Sequence, residues 1–257
     1  MGGYRQEWDY TEQARFYRFR PNYTPRAIDR MLLQGEIRAQ GGVLAADVGA
    51  GTGNLTRLLL ERGLRCVAIE PNEGMRRIGE ELTRGRDVTW VAGTGEETTL
   101  PDGSVDLFAM GSSFNTTDRE ATLVEAARVL RPGGWFACMW NHRDLSAPSE
   151  QRTEAVLREF FPDYRHGVRR EDQGAFLARF ESFEGLAYIE ETQQVVQPID
   201  DYIAAWKSVR NTYWDLAKEE GQALFARIES RLRAEHTTSL DLRYTTRLWM
   251  VRKRRGA

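Results

Sequence analysis

The stretch Ala45-Ala46-Asp47-Val48-Gly49-Ala50-Gly51-Thr52-Gly53-Asn54-Leu55-Thr56 decides how this 257-residue chain folds. Residues 43–48 are apolar apart from one aspartate and predict a buried strand, and three glycines at every second position predict a tight turn. Asn54 is expected to cap a helix that ends near Gly63. A strand, a glycine loop and a helix in this order let the backbone approach a ligand closely, and they direct the free N–H groups of the helix start towards it.

The glycine spacing narrows the choice of ligand. In the dinucleotide fingerprint the third glycine comes one residue later than Gly53 does here. The pattern of Asp47 followed by Gly49, Gly51 and Gly53 resembles motif I of the class I S-adenosylmethionine-dependent methyltransferases. Their cofactor has a charged amino-acid end and no phosphate. The resemblance implies that these four residues and Asn54 contact S-adenosyl-L-methionine (SAM), which leaves as S-adenosyl-L-homocysteine.

A second acidic residue follows the second predicted strand, residues 66–69. Glu70 comes at the strand end beside the glycine loop, and Pro71 stops the strand. The two oxygens of a carboxylate can accept hydrogen bonds from both hydroxyls of a ribose. We therefore expect Glu70 and Pro71 to border the ribose of the cofactor, with a helix over residues 72–82 behind them.

The third informative block is the run from Gly93 to Asp106, which contains Leu-Pro-Asp-Gly-Ser-Val-Asp at residues 100–106. This run resembles the same family in the same register. The resemblance implies that Thr94, Gly95 and Glu96 flank the adenine, although relatives often have aspartate at the position of Thr94. Ser112, just after the predicted strand 105–110, is the last expected cofactor contact.

The residues after the fourth strand continue the family pattern through Arg128-Val129-Leu130-Arg131-Pro132-Gly133-Gly134 and a strand at 135–140. The resemblance covers residues 43–144 and extends weakly to residues 4–40. It implies an α/β fold, a Rossmann-like doubly wound seven-stranded sheet with an antiparallel last strand. Alternation and apolar content place the last two strands at 183–196 and 240–251.

Two residues at the strand ends are the candidate catalytic groups. Relatives often carry a His-Trp pair where Asn115-Thr116 stand, so the base of those relatives is missing. The Asn115 amide can hold a substrate by hydrogen bonds but cannot take a proton. His142, at the end of the fifth strand, can act as a base at neutral pH or stand at the rim as a hydrogen-bonding residue, and Trp140 beside it is a candidate substrate contact.

The remaining segments predict where the acceptor binds. Residues 1–40 read as an N-terminal helical lid before a methyltransferase domain at 41–257, with cap insertions at about 145–182 and 198–236 that choose the substrate. Aromatic side chains in both regions either pack the core or line the acceptor site. The candidate acceptor contacts are Tyr17, Arg20, Tyr23, Arg210, Tyr213 and Trp214.

Composition excludes several classes of function. The chain has 36 basic and 38 acidic residues, which gives no electrostatic footprint for nucleic acid. No apolar run is long enough for a membrane span, no signal peptide is visible, and no cluster has the spacing of metal ligands. The two cysteines lie in apolar runs and predict buried free thiols, so a cytoplasmic protein is expected. The oligomeric state stays open.

The sequence therefore predicts SAM-dependent methyl transfer to a small, planar acceptor, on nitrogen or oxygen with a slight preference for nitrogen. The sulfonium methyl is already activated, so alignment and exclusion of water do most of the work. Three alternatives remain: a nicotinamide oxidoreductase, a non-catalytic SAM sensor and a nucleic-acid methyltransferase. The glycine spacing disfavours the first, and the charge balance disfavours the last.

Overall fold

The computed structural model describes residues 14–39, 42–165, 171–209, 211–236 and 238–256. These residues contain seven strands: β1 (Leu44–Val48), β2 (Arg65–Ile69), β3 (Val88–Val91), β4 (Val105–Gly111), β5 (Leu130–Arg143), β6 (Phe183–Pro198) and β7 (Ser239–Lys253). They also contain eight α-helices: α1 (Pro25–Gln34), α2 (Asn54–Glu61), α3 (Glu73–Leu82), α4 (Arg119–Val129), α5 (Pro148–Phe160), α6 (Gly174–Leu177), α7 (Ile199–Lys207) and α8 (Glu219–Glu235).

The strands form one seven-stranded sheet in the order β3-β2-β1-β4-β5-β7-β6. Strands β1 to β5 pair in parallel, and β7 lies antiparallel between β5 and β6. This topology confirms the predicted Rossmann-like fold with an antiparallel last strand. The strand order reverses beside β1, and the crevice at the carboxyl ends of the strands there is where ligands bind in open α/β sheets.

The helices begin and end where local chemistry dictates. Pro25 occupies the first turn of α1, where its missing N–H costs nothing. The side chains of Asn72 and Asp118 accept backbone N–H groups at the starts of α3 and α4. Helix α2 differs from the expectation, because Gly53 is its N-cap and Asn54 is its first residue. Its N-terminal N–H groups are therefore not capped by the Asn54 side chain.

Apolar side chains cover both faces of the sheet. On one face, Ile28 and Met31 of α1 and Leu59 of α2 pack against the sheet, and on the other face Leu123 of α4 does so. The short helix α6 also packs on this second face through Leu177, so the segment predicted as a cap at 145–182 divides between two places.

A third apolar cluster lies apart from both faces. We call the cap the group formed by α5, α7, α8 and residues 211–218, which packs around this cluster together with the ends of β6 and β7. Trp206 and Trp214 are buried within it, with ring centroids 6.3 Å apart.

Two element boundaries differ from the sequence-based prediction. Strand β5 already begins at Leu130, which pairs with Val105, and the Pro-Gly-Gly residues expected to precede the strand form an irregularity within it. The apolar pattern of the sequence predicts one helix over residues 199–213, but α7 ends at Lys207. Beyond it, the Asn211 side chain accepts the N–H groups of Tyr213 and Trp214 and closes a turn.

The basic residues near residue 255 stabilise the fold through hydrogen bonds to the main chain. The Lys253 Nζ donates to the Leu130 carbonyl, Arg252 Nε donates to the Gly133 carbonyl, and Arg254 Nε donates to the Glu181 carbonyl. They thus satisfy main-chain acceptors at the start of β5 and beside the start of β6.

Candidate functional site

A cavity of about 1300 Å³ opens at the carboxyl ends of β1, β2, β4 and β5. Its walls are completed by the N-terminal segment before α1 and by the loop between β3 and β4. The predicted site residues that line it are Tyr17, Arg20, Tyr23, Asp47, Gly49, Gly51, Asn54, Glu70, Pro71, Thr94, Gly95, Glu96, Ser112 and Asn115. The topology thus brings most of the predicted residues to one place.

The glycine loop forms one wall of this cavity. The N–H groups of Gly49 and Ala50 both donate to the Ile69 carbonyl, at 2.9 and 3.0 Å, which holds the turn against β2. Gly51 has φ +58° and open space where a Cβ would stand, so its backbone faces the cavity directly. A Cβ on Gly49 would lie 2.5 Å from the Ser113 side chain. Gly53 lies against Trp90 and does not line the cavity.

Asp47 lies on the floor of the cavity and is almost completely buried. Its Oδ2 accepts a hydrogen bond of 2.5 Å from the Thr56 hydroxyl, whereas its Oδ1 is buried with no hydrogen-bond partner among the described residues. Burial raises the pKa of this carboxyl to about 7. A buried acid with one unpaired oxygen is the kind of group that a cationic ligand satisfies.

Glu70 borders the same cavity at the end of β2. Its Oε2 accepts from the Gly51 N–H at 2.8 Å and its Oε1 accepts from the Asn72 N–H at 2.9 Å. These bonds fix the carboxylate beside the glycine loop, and each oxygen keeps further acceptor capacity. Burial is the largest influence on Glu70 and raises its pKa.

The loop after β3 is held by its own hydrogen bonds. The Thr94 hydroxyl accepts from the Glu97 N–H, and the Glu96 side chain accepts from the Asp118 N–H at 2.8 Å. Gly95 is enclosed, because a Cβ there would lie 2.9 Å from the side chains of Thr117 and Thr122. The loop therefore presents a fixed edge to the cavity.

On the side of β4, the cavity is bordered by Ser112 and Tyr23. The two hydroxyls lie 3.0 Å apart, and Ser112 has a φ of +60°, a strained conformation for a residue other than glycine. Asn115 is exposed in the turn that follows, and its Oδ1 accepts from the Trp140 indole N–H at 3.0 Å. Its amide nitrogen, which carries two donors, is left for the cavity side.

The N-terminal segment is fixed by side chains that the sequence analysis did not single out. Asn141 donates to the carbonyls of Pro21 and Asn22, and Gln193 and Gln197 of β6 donate to the carbonyls of Asn22 and Phe19. Asn141 alternates with Trp140 and His142 along β5 and so faces the other side of the sheet. Reading that period of two at the end of β5 would have identified it.

Several predicted residues stand elsewhere, which corrects their expected placement. Trp140 and His142 do not line the cavity, because the alternation of β5 turns both away from it. Tyr213 and Trp214 pack in the cap against Phe161. The prediction for Arg210 lies outside the described residues. No group of three or more His, Cys, Asp or Glu side chains in the described part of the chain could hold a metal ion.

No helix among the described residues has both the length and the apolar character needed to cross a membrane. The cysteines Cys66 and Cys138 are free and buried, as expected.

Comparisons with known proteins agree with this arrangement. A family described as "Methyltransferase domain" matches residues 46–138. An uncharacterized methyltransferase of Mycobacterium tuberculosis is 40% identical over 131 residues, so the match spans 50% of this chain and 50% of the relative. An uncharacterized methyltransferase of Schizosaccharomyces pombe is 25% identical over 245 residues, 92% of this chain and 93% of that relative.

A solved structure from Anaeromyxobacter dehalogenans, provisionally assigned as a type II methyltransferase, superimposes with a TM-score of 0.59. It is 25% identical and covers 91% of this chain and 97% of its own. The chain thus spans about half the length of the curated relative that it matches at 40% identity, whereas the fold is shared with the solved structure over 91% of the chain.

Proposed function

We propose that the chain is a class I S-adenosylmethionine-dependent methyltransferase and that it transfers a methyl group from SAM to a small-molecule acceptor. The observation that carries this proposal is the unpaired, buried Oδ1 of Asp47 on the cavity floor. The ammonium group of an amino-acid ligand would satisfy it.

The other residues around Asp47 fit the same cofactor. The open space at Gly51 admits a ligand against the backbone, and the Glu70 carboxylate beside it has the acceptor capacity for two ribose hydroxyls. The enclosed Gly95 and the Thr94–Glu97 turn would border the adenine. These are residues of three neighbouring strand ends, as a ligand extended along the sheet edge requires.

When bound, SAM supplies a methyl group on a positively charged sulfur, which a nucleophile can take directly. The protein's own contribution is then to hold and orient. Asp47 would hold the amino-acid end of the cofactor and Glu70 its ribose, and the N-terminal segment would help to exclude water and to align the acceptor. Asn115, whose amide is oriented by Trp140, is suited to position the acceptor by hydrogen bonds.

Among the described residues that line the cavity, there is no histidine, lysine or cysteine. An acceptor that needs no strong base therefore suits the site, which is compatible with a nitrogen or an acidic oxygen as the nucleophile. Tyr17 and Tyr23 provide aromatic surface for a planar acceptor. The free, buried cysteines support a reducing compartment such as the cytoplasm.

Isothermal calorimetry with S-adenosylhomocysteine and with NADH tests the cofactor. We expect binding of the first and none of the second. Tight binding of NADH without binding of S-adenosylhomocysteine would replace this proposal by an oxidoreductase. Transfer of tritium from methyl-labelled SAM into the small-molecule fraction of a cell extract then separates an enzyme from a SAM sensor.

A further inference from the structure

The cavity contains a single basic side chain among its described lining residues. The other charged side chains among the described residues that line this cavity with Arg20 are the carboxylates Asp47, Glu70, Glu96 and Asp118. The Arg20 guanidinium makes hydrogen bonds to Ser208 and stacks on Tyr17, but it forms no ion pair with a carboxylate of the described residues. A cation without a counter-ion in an acidic cavity is suited to an anionic ligand.

The position of this guanidinium is fixed from one side. Arg20 Nε donates to the Ser208 hydroxyl and one terminal nitrogen donates to the Ser208 carbonyl, both at 2.7 Å. The group lies 4.1 Å from the centroid of the Tyr17 ring. One edge of the planar fork is thus occupied, and the other terminal nitrogen keeps its two donors for a ligand.

The contacts of the neighbouring residues show at which end of the cavity Arg20 lies. Phe19 and Asn22 are held by side chains of β6, and Ser208 follows α7 at the end of the same strand. Three strands separate β6 from β1 in the sheet, and β1 carries Asp47. Arg20 is therefore anchored through Ser208 on the side of the cavity next to the cap, whereas Asn22 donates to the Asn54 carbonyl beside the glycine loop. We assign the side next to the cap to the acceptor.

Asn115 adds a second donor beside the cavity. The bond from Trp140 orients the Asn115 amide, whose nitrogen carries two donors. Arg20 presents donors alone, and with the Asn115 amide nitrogen on the cavity wall the site suits an oxygen-rich, anionic group.

We propose that the acceptor is a small carboxylic acid that Arg20 binds through its carboxylate, and that the product is a methyl ester. The proposal rests on the proposed function and names its substrate class. In the reaction, a lone pair of a carboxylate oxygen forms the new O–CH₃ bond while the S–CH₃ bond breaks. The electron pair of that bond returns to sulfur, which becomes a neutral thioether, and no proton moves.

This chemistry suits a cavity whose described lining residues offer no histidine, lysine or cysteine as a base. A carboxylic acid is already ionised at neutral pH, so its oxygen is nucleophilic without help. Attack of an anion on a sulfonium cancels two opposite charges, and a water-poor cavity favours such a step. An amine acceptor would have to lose a proton first, and its ammonium form could not pair with Arg20.

Binding to the protein saturated with S-adenosylhomocysteine tests the proposal. The probes are benzoate, phenylacetate and cinnamate, each compared with its neutral amide by calorimetry. We expect at least one carboxylate to bind at least tenfold more tightly than its amide, since a charge-assisted bond is lost with the charge. Arg20→Gln should reduce this preference to less than threefold, whereas Arg20→Lys should retain part of it.

Arg18→Gln is the matched control, because Arg18 is exposed and does not line the cavity. It should leave the preference for the carboxylate unchanged. With methyl-labelled SAM, the preferred carboxylate should yield alkali-labile radioactivity, as expected for a methyl ester.

Two results would overturn the inference while leaving the proposed function intact. One is that none of the three carboxylates binds more tightly than its amide. The other is that Arg20→Gln weakens S-adenosylhomocysteine at least tenfold and leaves the carboxylate preference in place, which would assign the guanidinium to the cofactor. Failure of the unmodified protein to bind S-adenosylhomocysteine would instead overturn the proposed function itself.

Discussion

The two ends of the cavity are built in different ways. At the cofactor end, the walls are the glycine loop, the strand ends that carry Asp47 and Glu70, and the loop after β3 that contains Gly95, all within residues 45–97. At the acceptor end, the wall is the segment around Arg20, which is held by residues of β5 and β6 and by Ser208 after α7, 119 to 188 positions away in the sequence.

The cofactor end is thus built from residues close in sequence, whereas the acceptor end is assembled from distant parts of the chain. The cofactor end follows from a strand, a turn and a helix that are consecutive in the chain, so its geometry depends on local backbone conformation. The acceptor end depends on tertiary packing, including the cap that carries Ser208. Substitutions should therefore affect cofactor binding and cap stability independently.

The largest change in free energy is expected from Trp214→Ala in the cap, which should lower the stability of the protein. Trp214 is buried and its ring contacts those of Phe161, Trp206 and Phe225. Removing it should lower the free energy of unfolding by about 3–5 kcal/mol through the cavity that it leaves. Leu33→Ala, at an 80% exposed position, should change it by less than about 0.5 kcal/mol.

Thermal or urea denaturation measures this loss, and calorimetry below the melting temperature measures affinity for S-adenosylhomocysteine. We expect that affinity to stay within about twofold of the value for the unmodified protein, because the cap and the cofactor end are separate regions. A loss of affinity without a loss of stability would place Trp214 in the site after all.

Gly51→Val should strongly weaken ligand binding at the cofactor end. The new side chain would occupy the open space that faces the cavity, so affinity for S-adenosylhomocysteine should fall at least about a hundredfold, or about 2.7 kcal/mol. Gly103→Val is the matched control, since Gly103 also has a positive φ and open space but lies away from the cavity. It should carry a similar backbone strain and bind the ligand normally. Equal losses in both variants would attribute the effect to strain alone.

The pKa of Asp47 gives the cofactor end a pH dependence. Burial raises this pKa from 3.8 to about 7, so the carboxyl is protonated below that pH and cannot pair with an ammonium group. Affinity for S-adenosylhomocysteine should rise with pH by up to about tenfold per unit between pH 5 and 7 and then level off.

Calorimetry between pH 5 and 8 measures this slope. Asp47→Asn should remove most of it, whereas Glu73→Gln, at an exposed carboxylate of α3, should leave it intact. A slope that survives in the Asp47→Asn protein would point to Glu70, whose pKa burial also raises.

The smallest effect on methyl transfer is expected from His142→Asn, which tests whether His142 belongs to the acceptor end. His142 does not line the cavity, so methyl transfer into the acceptor should stay within about twofold at every pH. Asn115→Ala, which removes a donor from the cavity wall, should lower turnover with unchanged cofactor affinity. If His142→Asn slowed transfer steeply at neutral pH and recovered at high pH, the histidine would be restored as a base.

The accuracy of the sequence-based predictions follows the same division. The Rossmann-like sheet with its antiparallel last strand was expected from the family resemblance. The glycine loop and the placement of Glu70 at the cavity were predicted because each depends on residues close in sequence. Tyr213 and Trp214 were misplaced because an aromatic side chain on a predicted helix has the same pattern whether it faces a core or a ligand. Asn141 was missed because the alternation of side chains was not followed to the end of β5, where it sets Asn141 on the face opposite Trp140 and His142.

One hydrogen bond indicates in which order the two ends of the cavity can form while the chain is being synthesised. The N–H of Thr24 donates to the hydroxyl of Thr246 on β7, which is 222 residues further along the chain. While the ribosome is still making β7, the residues of the glycine loop, of Glu70 and of the intervening strands have already been made, but this anchor of the segment before α1 has not. The acceptor wall is therefore the last part of the cavity to be completed, and a nascent chain would have the residues of the cofactor end well before it could enclose an acceptor.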